Sequence, residues 1–551
     1  KGEAAPPAAI PGRDLALFVL LLLATDFSGL LHIYGLSWLY GEPTFLGLGW
    51  TMVLVAAALL VLPARERPGA LRFPLRRPVD GLVLLGGGVL LALAATFLYI
   101  ALSDPPAWVA RAPRDTSLAG LLGMFAVQSA ALAAVPALAL VIGYVCDEGM
   151  RRVWIGLLAA ALFLLSLVNL LYDAGVGHPA PATWAIVLGA GLPATLLLGG
   201  LIAGAGGLVL LRPARFLAVA IGAGLALRLI GIAAIPLTIR LGDMLPLLQM
   251  STTRILQAQN PYIVYQMPWD LPLTYWPLTV LSYLPAALAG IDLRWVNLLF
   301  GPLVGALLLL AGGRRGPGPA AHAFGLLYLA PGMLQWDIST AAPPYWLWLC
   351  VAFATAVGAA RARPGWLLPG AGVGAALAAA PLALPFVPFL GASWLAQGWR
   401  VALRRVVVAG VVFALLVGPF LLWGRRGFLD GAIGWFNDIN RLPLLKWQTD
   451  KSWALEVGLA GPFWYNGLQD WLKPLQIVLV GGLGVILPAL RLRPVRTPTA
   501  ALRWGAAAYL LFMVVNPVIW PYLYVPALLA LAFALVPAGD ATPAPSELAP
   551  Q

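Results

Sequence analysis

The feature that leaves this chain fewest folds is a succession of long apolar runs, most of them about twenty residues or more, separated by short loops rich in arginine. A run of that length in hydrocarbon satisfies its backbone polar groups only by closing into a helix, because the surroundings offer them no partner. The 551 residues are 61% hydrophobic and 10% charged, against about 25% charged in soluble domains. No polar stretch is long enough for a separate soluble catalytic domain. The expected class is therefore all-α: a polytopic transmembrane bundle of about 16 helices, with further helices lying in the outer interface. The net charge of +12 comes from arginines grouped in short loops, the ordinary orientation signal of a membrane protein, and nucleic acid is not an expected partner. Cys146 sits beside Asp147 and Glu148, and Cys350 inside an apolar run, so neither a disulfide framework nor a metal site is expected. The first run follows Lys1 and Arg13 as a signal peptide would. It continues past Asp26 to Tyr40 without a small-residue cleavage site and reads as a retained anchor.

Apolar runs near 15–38, 46–62, 80–102, 118–145, 153–172, 184–211 and 216–239 give the crossings before Arg240. The positive-inside rule places the loop with Arg65, Arg67, Arg72, Arg76 and Arg77 in the cytoplasm, together with the turns at Arg151–Arg152 and Arg212–Arg215. The segment from Arg240 to Trp276 then faces outward, periplasmic or extracellular. Beyond it, Arg314–Arg315, Arg361–Arg363, Arg400–Arg405 and Arg491–Arg503 mark cytoplasmic turns. Parity requires an interfacial helix at 277–290, crossings near 293–312, 320–333 and 341–360, and a hairpin of two short helices over 366–396, broken by Pro381 and Pro385. Crossings near 401–424, 473–490, 501–516 and 519–537 follow, with both termini cytoplasmic in a multi-pass protein of the bacterial inner membrane. Three segments result: a six-helix extension at 1–215, a main unit at 216–537, and a disordered cytoplasmic tail at 538–551.

No HExxH, Walker A, CxxC or Gly-x-Ser-x-Gly pattern occurs, and His32, His178 and His322 are scattered over different segments. Gly370, Gly372 and Gly374 lie within an apolar run without strand or charge, so they read as helix-packing residues rather than a nucleotide loop. Outward polar groups gather at 240–276, around Asp337, at 425–471 and from Asn516 to Tyr522. In the first of these, Asp243 follows a helix end, a short amphipathic stretch leads to Asn260-Pro261-Tyr262, and Tyr275-Trp276-Pro277 closes the segment. One carboxylate under aromatics and prolines at a membrane surface suits a lipid-borne polar substrate, since Tyr and Trp favour the headgroup level and sugars stack on aromatic faces. Asp26, in or near the first helix, is a further functional suspect as an intramembrane acid.

Over about residues 216–537 the order of these features resembles the GT-C superfamily of membrane glycosyltransferases, in particular its polyprenyl-phosphomannose-dependent mannosyltransferases. The carrying residues are Asp243, Asn260-Pro261-Tyr262, Tyr275-Trp276-Pro277, the stretch PGMLQWDIST with Asp337, the hairpin GAGVGAALAAAPLALPFVPFL, and NPVIWPYLYVPALLAL with Tyr522. The resemblance implies a polyprenyl-phosphate-linked sugar as donor, possession of a GT-C-like core, Asp243 as general base, and substrate contacts from Asn260, Tyr262, Tyr275, Trp276, Asp337 and Tyr522. A departing phosphate needs a cation, and Arg425 and Arg426 are the candidates, with Arg441, Lys446 and Lys451 behind them. No cofactor is assigned and a divalent metal stays open. Where many relatives carry a lysine in the hairpin's outer turn, this chain has Ala378, Ala379, Ala380 and Pro381. The alternative expectation is a catalytically silent GT-C-like subunit, docked to membrane partners through residues 1–215.

Overall fold

The computed structural model describes residues 212–239, 242–267, 270–359, 367–435, 467–486, 497–514 and 521–537, residues 495 and 516, and scattered helical positions within 15–25 and 155–170. The described chain is overwhelmingly helical. Its helices are α1 (Pro213–Ala234), α2 (Met244–Leu256), α3 (Pro277–Leu288), α4 (Arg294–Leu298), α5 (Phe300–Gly312), α6 (Pro319–Leu329), α7 (Pro331–Ser339), α8 (Ala342–Ala359), α9 (Leu367–Ala379), α10 (Val387–Leu395), α11 (Trp399–Trp423), α12 (Arg425–Phe428), α13 (Leu472–Gln476), α14 (Pro498–Val514) and α15 (Val525–Ala534). One departure from an all-α fold is a small antiparallel pair, β1 (Val264–Gln266) and β2 (Asp270–Pro272), with Tyr265 opposite Leu271. Three-residue strands carry no alternating run long enough to stand out in a sequence.

Four helices among the described residues are long and apolar enough to cross a membrane: Pro213–Ala234, Arg294–Arg315, Ala342–Ala359 and Trp399–Trp423. At 18 to 25 residues they span about 27 to 38 Å, against about 30 Å of hydrocarbon. The other apolar helices are shorter, including Pro277–Leu288, Leu367–Ala379 and Tyr522–Ala534. The run expected near 320–333 is broken by Pro331 into α6 and α7. The break expected at Pro381 and Pro385 is present as a 3-10 turn, Pro381–Phe386, between α9 and α10.

Small residues let the long helices approach. A methyl group on Gly370 would come within 2.5 Å of the Arg405 carbonyl oxygen and one on Gly374 within 2.4 Å of that of Ala409, while Gly372 faces Ala352 and Thr355. That face of α9 is therefore wedged between α8 and α11, which bears out the packing reading of these glycines. The opposite side of α11 is bare. Leu403, Val406, Val407, Val411, Leu415 and Leu422 are exposed, and only 17% of its apolar window is buried. An apolar stripe of that length facing outward is what hydrocarbon, not water, would cover. Exposed tryptophans, Trp399 and Trp423, stand at the two ends of this helix.

The described part of the 1–215 segment packs on the same core: Ser166 donates to the Leu329 carbonyl oxygen at 2.6 Å. The tail at 538–551, Asp26, Cys146 and the arginine loops at 63–78 and 151–152 lie outside the described residues.

Candidate functional site

The chain leaves α1 at Ile235, where Arg294 caps the exposed carbonyls: its Nη1 donates to the Ile235 oxygen at 2.6 Å and its Nη2 to that of Ile232 at 3.3 Å. Asp292 holds the same guanidinium at 2.6 Å. The next turn is pressed against α7, since a methyl group on Gly242 would lie 2.9 Å from the Ser339 carbonyl oxygen. Asp243 follows at the N-cap of α2, half-buried, yet its side chain makes no capping hydrogen bond to the helix. An acid that occupies the cap position without capping has its carboxylate directed to something else.

Tyr275 and Tyr522 lie within electrostatic reach of Asp243. Burial first, then the neighbouring Tyr522, Asp243, Tyr283 and Tyr345, push the Tyr275 hydroxyl well above its ordinary range, so it is a neutral donor at any working pH. Trp336 adds a wall, with its ring 6.5 Å from that of Tyr522 and 6.2 Å from that of Trp346. Three of the expected site residues, Asp243, Tyr275 and Tyr522, are thus brought together around one place.

A second group forms at the far end of α2, whose thirteen residues rise about 20 Å. The helix stops with Ala258 in the left-handed conformation (φ 55°) and the Gln259 amide bonded back to the Arg254 oxygen at 2.8 Å. Arg254 Nε then donates to the Asn260 carbonyl at 2.9 Å, and the Asn260 Oδ1 accepts the Tyr262 amide at 2.9 Å. The Tyr262 hydroxyl reaches the Tyr275 carbonyl at 2.9 Å, tying the start of the loop to its end. Tyr265 donates to the Pro261 carbonyl at 2.6 Å. Its hydroxyl is pushed up to about 12 by burial, against a smaller opposing pull from Arg254.

Against this loop lies the segment 424–434. Methyl groups on Gly424, Gly427 and Gly431 would collide with Asn260, the Tyr262 oxygen and the Leu273 oxygen, at 1.9, 1.9 and 2.6 Å. Trp276 Nε1 closes the seam on the Ala432 carbonyl at 3.2 Å. Arg425 and Arg426 are exposed beside Asn260 and have no ion-pair partner among the described residues. The loop with Asn260, Tyr262 and Trp276 and the backbone that bears Arg425 and Arg426 thus lie against each other, and Arg254, which the sequence did not single out, is bonded to the same loop. Arg441, Lys446 and Lys451 lie outside the described residues.

Asp337, expected as a substrate contact, sits in the last turn of α7, buried and ion-paired with Arg228 of α1. The Arg228 guanidinium also lies 3.6 Å over the Tyr328 ring and donates to the Gly224 oxygen at 3.0 Å. Asn297 holds the end of α7 through the carbonyls of Asp337 and Thr340 and in turn accepts the Tyr283 hydroxyl at 2.6 Å. This carboxylate is 1% exposed, with Oδ2 held by Arg228 and Oδ1 without a hydrogen-bond partner among the described residues.

Comparison with known families, curated proteins and solved structures finds no match. The site is read on its own chemistry. Among the described residues no three of His, Cys, Asp and Glu gather as a metal cluster. The turn at Ala378–Pro381 holds no cation: Ala378 and Ala379 are buried, and the Ala379 oxygen accepts Thr279 Oγ1 at 2.8 Å.

Proposed function

We propose that this chain is a multi-pass membrane glycosyltransferase of GT-C type, moving a sugar from a polyprenyl-phosphate donor to an acceptor on the outer face of a bacterial inner membrane. The observation that carries the reading is Asp243, an acid that does not cap its own helix and stands among half-buried tyrosines at the head of α2. Its role is general base. A sugar hydroxyl becomes a competent nucleophile when a carboxylate about 3 Å away takes its proton as the anomeric bond breaks. The anomeric carbon then lies about 6 Å from the carboxylate, with the leaving phosphate just beyond it. Since α2 carries the arginine group about 20 Å away from Asp243, farther than an arginine side chain reaches, Arg254, Arg425 and Arg426 are assigned to docking a lipid-phosphate headgroup at the loop and not to the phosphate leaving beside Asp243.

The test is transfer from a purified polyprenyl-phosphate sugar by Asp243→Asn, which keeps the shape of the side chain and cannot accept the proton. The expected loss is about 100-fold to 10,000-fold with unchanged insertion, and a rate within about threefold of wild type would remove Asp243 from the mechanism.

Two observations favour a second reading, a silent GT-C-like subunit. The second acid, Asp337, is paired with Arg228, and the turn at Ala378–Pro381 carries no cationic side chain. On that reading residues 1–215 dock membrane partners, and wild-type protein gives no transfer with any polyprenyl-phosphate sugar until those partners are added.

A further inference from the structure

The bare side of α11 begins in a pair of cations. Val407, Val411 and Leu415 are exposed along it, and the helical spacing that links them runs back through 404 and 400, so Arg400 and Arg404 stand on the same face one turn apart. Both arginines are exposed, and neither has an ion-pair partner among the described residues. Arg405 follows but is turned into the protein. It is 1% exposed, its guanidinium lies 5.7 Å from the Trp394 ring, and its Nε and Nη2 have no hydrogen-bond partner. Exposed Trp399 opens the helix, with the Arg400 guanidinium 5.5 Å over its ring. The first turn holds no acid, and Gly398 gives it no side-chain cap. Positive side chains are thus gathered at the positive end of the helix dipole, where the stabilising neighbour is an anion.

The arginine pair calls for an anion and the stripe beyond it for hydrocarbon. One molecule that supplies both, in that order along a membrane normal, is an anionic lipid. From Arg404 to Leu415 the helix rises about 16 Å, close to half of a hydrocarbon core roughly 30 Å thick, which is the depth one leaflet's acyl chain covers. We propose that this face of α11 binds an anionic glycerophospholipid, its phosphate on Arg400 and Arg404 and an acyl chain along Val407, Val411 and Leu415, in the leaflet that the arginine pattern assigns to the cytoplasm. Guanidinium forks hold phosphate oxygens through paired hydrogen bonds. A zwitterionic lipid brings its own ammonium to the same place and gains less from the pair. Arg405 does not touch the lipid and adds an unbalanced positive charge behind the two that do. The site lies at the opposite end of α11 from Arg425 and Arg426, and it goes beyond the transfer reaction proposed above without depending on it.

The experiment places a bimane fluorophore on the full chain through Val407→Cys, and separately through Leu229→Cys on the exposed side of α1, in a background lacking Cys146 and Cys350. The protein is held in phosphatidylcholine nanodiscs containing rising fractions of doxyl-labelled phosphatidylglycerol or doxyl-labelled phosphatidylcholine. At position 407, half-quenching should need about 5-fold to 30-fold less of the glycerol lipid than of the choline lipid, the worth of one to two arginines near a headgroup. At position 229 the two lipids should quench alike. Arg400→Gln with Arg404→Gln should erase the preference at 407, while Arg400→Lys with Arg404→Lys, which keeps both charges, should retain most of it. Equal quenching by the two lipids at 407 overturns the site. An equal preference at 407 and 229 overturns it as well, because attraction to the chain's net charge of +12 then accounts for the effect. So does a preference that survives the double glutamine variant. The comparison of 407 with 229 is made on proteins that keep all the arginines, so it stands even if the glutamine variant fails to fold.

Discussion

Arg228 and Asp337 are each about 1% exposed and bind each other in the interior of the helical core. Removing one partner strands a charge that neither lipid nor protein solvates, whereas removing both leaves only a shape to refill. Asp337→Ala is therefore expected to destabilise by about 3 to 5 kcal/mol, and Arg228→Leu with Asp337→Leu to come within about 2 kcal/mol of wild type, read as apparent Tm in one detergent. Equal losses in single and double variants would show that the pair is not what holds α1 to α7. Arg228 was visible in the sequence as the lone charge inside FLAVAIGAGLALRLIGIAA. Its partner lies 109 residues away, and no periodicity joins residues at that separation. Asp337 consequently read as a free outer acid. The aromatic residues of the Asp243 site were legible where they sat in polar stretches, as with Tyr275 and Tyr522.

The ends of elements carry the site, and they are where local strain can be changed without touching chemistry. Ala258 closes α2 in a left-handed conformation that suits glycine. Ala258→Gly should raise stability by about 1 kcal/mol, seen as a higher apparent Tm, while a lower Tm would mean that the alanine methyl is packed. Gly427 is the opposite case. Its missing side chain lets the arginine-bearing segment lie on the Tyr262 carbonyl, so Gly427→Ala should cost about 1 to 3 kcal/mol and expose 424–434 to protease. Protease resistance equal to wild type would show that the seam does not depend on this contact. Proline breaks at 381 and 385 were readable because proline acts within its own turn. The β1–β2 pair and the three-glycine seam were not, since each is defined by what a distant segment presses against it.

Across the whole molecule, arginine placement makes a directional claim: 63–78 cytoplasmic, 425–471 outside. Single cysteines at positions 70 and 450, in a background lacking Cys146 and Cys350, should be labelled from outside intact cells at 450 and not at 70. The reverse pattern would invert the topology and the site with it. Apolar run lengths were enough to anticipate the helical class and the four long helices, because that signal is carried by each run alone. How the shorter helices are arranged depends on tertiary packing, which no single run encodes. One of the long helices also carries a length scale. Trp399 and Trp423 sit at the ends of the 25-residue α11, about 36 Å apart at 1.5 Å per residue. Indole rings settle at the headgroup boundary, so this helix acts as a ruler that the lipid must match or the helix must tilt to meet. Arg425 is fixed to the end of that ruler, just past Trp423. Reconstitution in progressively thinner bilayers should therefore move the arginine group relative to the surface before it disturbs the buried Arg228–Asp337 pair, making acyl-chain length a control on the depth of the arginines that leaves the core intact.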